Sequence, residues 1–278
     1  IFVCLVLVLY QLLSAKVHPA IAGFLVTALI AIPEMYAYSF MALFDFPNAV
    51  YFFLAAWFLS RFLSEEHRGD LLMAAWMMGI ATYIRSETLI LAFLMLPVFF
   101  VAGRKLVFKR TSFIGAVIFL TAAVLAYLLS VTVYVNLYLP AGYEISRLLN
   151  NNLLNLESLA ARFAGMNREL IFSSHGVEYF GYFIFLFLLI LLGDALATRH
   201  WNLQARHYLY GILVIYLGLP VIGFLLPLMD LEHSTKRGMF KLFPLMVLYM
   251  GNCGLLQRLS QRLDTWSEIT AVKDRRTF

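Results

Sequence analysis

The chain has 278 residues, of which 62% are hydrophobic and only 13% charged, and its mean hydropathy is +0.83. Soluble domains use about 45–50% apolar and ~25% charged residues, so the composition excludes an ordinary soluble domain and predicts an integral membrane protein. The net charge of +5 requires no nucleic-acid partner, because basic residues sorted by membrane side and drawn to anionic membrane lipids account for it.

A spanning helix takes roughly 20 mainly apolar residues. Apolar stretches occupy 1–13, 19–38, 47–63, 71–84, 87–103, 113–137, 178–197, 208–229 and 238–256. They predict an all-α, polytopic transmembrane bundle of about nine spans, with a transmembrane domain over 1–256 and a cytoplasmic tail over 257–278. The first stretch stops at Ser14, too short to span, which places Ile1 inside a helix and predicts an external loop and a further helix before it. Cys4 and Cys253 fall in apolar stretches, where inert buried thiols are expected.

The polar gaps alternate in character. One set holds Lys16, then Arg61 and Arg68, then Arg104, Lys105, Lys109 and Arg110, then Arg199 and Arg206, then Arg258, Arg262, Lys273, Arg275 and Arg276. Loops rich in Lys and Arg stay in the cytoplasm, which places the C-terminus there. These loops carry no nucleotide-binding or zinc-peptidase motif. The other gaps, external on this reading, hold charges set against an apolar layer, and such charges mark functional sites by default.

The first external gap is IPEMYAYSFMALFDFPN, where Pro33 and Pro47 mark helix boundaries and set Glu34 and Asp45 beside the outer interface. Either these are solvated acids, with Asp45 favouring the N-terminal dipole of the next helix, or they orient an acceptor hydroxyl, act as a base, or ligate a divalent cation. The second gap is the tight turn Arg85-Ser86-Glu87. Its guanidinium suits a phosphate, or it pairs with Glu87, or it snorkels to headgroups.

The third gap, from about Asn136 to Gly176, is the longest and breaks at Pro140 and Gly142. Tyr143 joins the substrate-binding candidates here. Beyond it Leu149, Leu153, Leu156, Ala160 and Phe163 recur at helical spacing, which predicts an amphipathic helix that covers a cavity, lies on the membrane or packs against the bundle. The fourth gap brings Asp230, Glu232, His233, Lys236 and Arg237 together. His233 with a neighbouring acid lacks a recognised metal spacing. Lys236 and Arg237, at a helix start, suit a phosphate better or bind lipid headgroups. Lys241, one turn further in, either extends an anion site inward or snorkels outward.

Three segments in this order resemble a known family: Asp45-Phe46-Pro47 entering AVYFFLAAWFLSRFL, then GIATYIRSETLILAFLMLPVFF, then STKRGMFKLFPLMVLYM. The chain resembles polytopic membrane glycosyltransferases of the GT-C superfamily, of the mannosyltransferase and aminoarabinose-transferase type. Arg85 and Glu87 stand where the family has Arg and Glu, and Ser86 replaces its usual proline. The resemblance implies transfer of a sugar from a polyprenyl-phosphate or diphosphate donor, with inversion, to a lipid, glycan or protein acceptor. It implies the extracytoplasmic face of a bacterial inner membrane, catalytic positions at Asp45 and Glu34, and substrate binding by Arg85, Glu87, Lys236, Arg237, His233 and Tyr143. It leaves a divalent cation open as a cofactor. The family's main catalytic acid lies in a first external loop, expected before Ile1, so this chain is expected to lack it. Two competing readings are a transporter or lipid flippase, which expects ionisable residues deep in the spans, and a non-catalytic subunit of an envelope-assembly complex.

Overall fold

The computed structural model describes residues 1–41, 44–101, 110–138, 156–197, 202–225 and 235–276, and every regular element among them is helical. Helix α1 (Phe2–Ser14) buries the stripe Leu5, Leu9 and Leu13 and turns into α2 (Pro19–Ile30). His18 starts α2 by accepting the Ala20 N–H on Nδ1, with Pro19 in the first turn, where its missing N–H costs nothing. Pro33 then pushes Ile32 into extended backbone, and α3 (Pro33–Phe40) leaves at 72° to α2. Helices α4 (Asp45–Glu65) and α5 (Arg68–Ile84) form a hairpin that turns at Glu66.

Pro97 separates α6 (Thr88–Met95) from α7 (Val98–Val101). Helix α8 (Arg110–Leu129) runs through a π-helical turn, Ser130–Val135, into α9 (Asn136–Tyr138). Helix α10 (Leu156–Gly165) continues through a second π turn, Met166–Ile171. Helices α11 (Ser174–Phe180) and α12 (Phe183–Ala197) meet at 93° across Gly181, whose φ of +58° is open to glycine at little cost. Helix α13 (Leu203–Leu225) contains Pro220. Last come α14 (Lys236–Gly238), a 3₁₀ turn at Met239–Lys241, α15 (Leu242–Asn252) and α16 (Gly254–Arg276).

Helix α15 is the post around which the rest assembles. Each of its residues from Leu242 to Asn252 is buried, and it packs against α1, α2, α4, α12 and α13. Helices α5 and α8 approach closely: a Cβ on Gly79 would stand 3.4 Å from the Ala122 carbonyl oxygen. Leu7, Phe24, Leu72, Trp76, Phe113, Leu125, Leu189 and Leu217 all point outward and are exposed.

Among the described residues, three helices are long and apolar enough to cross a membrane, Asp45–Glu65, Ser112–Val133 and Leu203–Gly223, or up to six if each bent pair forms one span. The sequence expectation of about nine rests on hydropathy, which reads composition and not direction. The stretches 19–38 and 178–197 are each two helices meeting at a sharp bend. Of the expected amphipathic helix, Leu149 and Leu153 lie outside the described residues, and the part from Leu156 is α10, whose residues are all at least partly exposed. It packs on α13, with the Phe163 ring edge-on to Tyr216 at 5.3 Å. Tyr143, Asp230, Glu232 and His233 lie outside the described residues. The segment expected as a tail continues as α16 to Arg276. Cys253 is buried, but Cys4 is exposed, because it sits beside the buried leucine stripe of α1 and not in it.

Candidate functional site

Helices α4 and α5 are antiparallel neighbours, so the first residue of α4 and the residue that ends α5 fall at the same end of the bundle. Those residues are Asp45 and Arg85. The path of α2 and α3 brings Glu34 to that end, and the segment entering α15 brings Lys236 and Arg237. Residues up to 202 positions apart in sequence meet there.

Asp45 is at the centre. Its Oδ1 accepts from Arg85 Nη1, and its Oδ2 accepts from Arg237 Nη1 at 3.3 Å. Arg85 turns its Nε to Glu87, so one guanidinium joins two carboxylates. Beside this chain Lys236 pairs with Glu34 and lays its Nζ 3.9 Å from the centre of the Tyr179 ring, a cation–π contact that strengthens where water is thin. The Asp45 side chain is 6% exposed, and those of Arg85 and Arg237 are 22% and 25% exposed. The cluster is therefore a partly buried ion network, in which screening by salt is weak.

Beneath it Asn48, one turn into α4 and fully buried, donates through Nδ2 to the Ala81 carbonyl at 2.6 Å and to Thr88 Oγ1 at 2.9 Å. The Ala81 carbonyl also accepts the Arg85 N–H. Asn48 thus grips both sides of the Arg85–Glu87 turn. Lys241 stands in the 3₁₀ turn, buried, and within electrostatic reach of Glu87 and Arg85.

The structure brings together Glu34, Asp45, Arg85, Glu87, Lys236 and Arg237 from the sequence candidates. The alternative reading of Arg85 as a partner of Glu87 holds as well, because the same guanidinium serves both acids. Sequence does not single out Asn48 or Tyr179. An asparagine inside the apolar run after Asp45 is the available signal for the first. Nothing marks Tyr179 among the aromatics around it. Among the described residues no three His, Cys, Asp or Glu side chains are grouped to hold a metal ion.

Chemically the cluster offers a carboxylate fixed by two guanidiniums, a second carboxylate held by an ammonium, and cations that can turn toward an incoming anion. Such donors stabilise charge that develops on a leaving oxygen, and bidentate arginine is suited to phosphate. Compared with protein-family models, curated proteins and solved structures, the chain finds no significant match.

Proposed function

We propose that the protein is an integral membrane glycosyltransferase that moves a sugar from a polyprenyl-phosphate or diphosphate donor to a lipid, glycan or protein acceptor. The ion network at one end of an otherwise apolar bundle carries this reading. Outward-facing Leu7, Phe24, Trp76, Phe113 and Leu125 form the lipid contact. The sorting of basic residues among the loops supports an extracytoplasmic position for that end, in a bacterial inner membrane, with the C-terminus in the cytoplasm.

In the transfer step the acceptor hydroxyl oxygen bonds to the anomeric carbon as the bond from that carbon to the donor phosphate oxygen breaks. The electron pair leaves with the phosphate, and the hydroxyl proton goes to a carboxylate. Arg85 and Arg237 can pass from Asp45 to the phosphate as its charge grows, which frees an Asp45 oxygen to orient the acceptor. Glu34, held by Lys236, and Glu87, held by Arg85, are the other carboxylates of the cluster. Expulsion of water by the surrounding apolar helices strengthens each of these interactions.

The test is transfer of labelled sugar from a panel of polyprenyl-phosphate sugars by membranes containing the full-length protein. Asp45→Asn and Arg85→Ala should each abolish transfer while leaving insertion and expression level intact. Unchanged transfer in both variants removes the site assignment.

A further inference from the structure

Arg85, Lys236 and Arg237 each have a carboxylate in contact, whereas Lys241 has none among the described residues. The residue as a whole is 4% exposed, so its side chain is packed inside the protein and does not extend into bulk solvent. No described carboxylate oxygen lies within the 4.0 Å of an ion pair. The acid that acts on it from further away, Glu87, is already held by Arg85 Nε, and Arg85 repels it.

A buried ammonium with no counter-charge is among the least favourable groups a fold can keep. Its backbone gives it no freedom to leave. The 3₁₀ turn that carries it is packed on α4 and α15, and its neighbours Phe240 and Leu242 are buried core residues. The position is held by packing, and the charge on it is left for something outside the described residues to balance.

We propose that Lys241 is the inner ligand of an anion site, and that the anion is a phosphate group bound between Lys241 and the Asp45–arginine network. The phosphate approaches from the end of the bundle. Arg85 and Arg237 meet its outer oxygens as they turn from Asp45, and Lys241 meets the inner one. That the phosphate is the head of a prenyl lipid rests on the glycosyl-transfer reading, whereas the anion site does not.

The experiment uses the purified protein in lipid nanodiscs, with farnesyl phosphate, inorganic phosphate and farnesol as separate probes, followed by calorimetric titration and thermal melting. Farnesyl phosphate should bind and raise the melting temperature, and Lys241→Met should weaken that binding by at least about tenfold, with Lys241→Arg retaining part of it. Without ligand, Lys241→Met should melt at or above the parent protein, because it removes a charge that nothing balances.

Equal binding of farnesyl phosphate by Lys241→Met overturns the assignment of Lys241 and leaves the glycosyltransferase reading standing. Lys241-dependent binding of inorganic phosphate, with none of farnesyl phosphate, keeps the anion site and removes the lipid donor. Binding of farnesol as tight as that of farnesyl phosphate, or of no probe at all, overturns the proposal. So does a ligand-free Lys241→Met or Lys241→Gln that fails to fold or melts well below the parent, since that result would mean the ammonium already has its counter-charge.

Discussion

The two ends of the bundle handle charge in opposite ways. At the end away from Asp45, polar groups finish helices. Asp194, 1% exposed, accepts the Leu255 N–H on Oδ1 and the Tyr249 hydroxyl on Oδ2, which caps α16 just where the chain breaks at Cys253. Ser260 accepts the His18 N–H at 2.7 Å and ties α16 to the turn before α2. Arg61 reaches Glu65 one turn on and Asp70 across the hairpin, with its guanidinium over Trp57. These contacts satisfy backbone groups or pair near neighbours. At the Asp45 end the partners come from four separate segments, backbone groups are hardly involved, and among the described residues a buried cation is left over. Under the proposal above, that cation is the inner ligand of a bound phosphate.

The largest expected effect breaks this contrast at its centre. Asp45→Ala leaves Arg85 and Arg237 partly buried without their shared acid, at a cost of about 3 kcal/mol. The thermal unfolding of the detergent-solubilised protein should register it. Transfer activity should vanish along with it. In a double-mutant cycle, Arg85→Ala and Arg237→Ala should be strongly non-additive, because both act through one carboxylate. Additive effects would show that the two arginines are separate surface features.

Asp194→Ala comes next, at about 2 kcal/mol, from loss of a helix cap and of the partner of a buried hydroxyl. Here transfer per folded molecule should stay unchanged. A loss of transfer in a variant that still folds would tie the two ends together and undo the contrast. Smaller again is Asn48→Leu, at about 1 kcal/mol. Its signature is kinetic: the Arg85–Glu87 turn loses its grip, so kcat should fall with KM nearly constant, while Asn48→Gln restores part of kcat.

Much of the Asp45 end is legible in sequence because charge is scarce in this chain. A lone acid or arginine between apolar runs stands out, and the alternation of the gaps by itself assigns Glu34, Asp45, Arg85, Lys236 and Arg237 to one face. Their pairing is not legible, since sequence separation says nothing about which guanidinium meets which carboxylate. Helix geometry is the weaker part. The runs through Ile32 and Gly181 stay apolar while the axis turns, so hydropathy passes over bends that a proline and a positive φ create. Asp194 falls in sequence near the end of the apolar stretch 178–197 and is not singled out, because a residue that caps a distant helix has no local signal. Lys241 is visible but ambiguous, and only its burial decides between an inward and an outward side chain.

The smallest effect gives the sharpest control. Arg258 Nη1 donates to the Ala197 carbonyl at 2.9 Å, from an exposed position at the C-terminal end of α12. A cation there eases the negative end of the helix dipole by about 0.5 kcal/mol, and salt should erase that gain, since the screening length at 1 M is roughly 3 Å. Melting of Arg258→Ala should therefore differ from the parent at low salt and coincide with it at 1 M. Arg237→Ala should remain destabilised under both conditions, because Asp45 is shielded from the salt solution by the packing around it. If the two variants respond to salt alike, the Asp45 network is as wet as an ordinary surface pair, and the difference between the two ends is one of sequence distance alone.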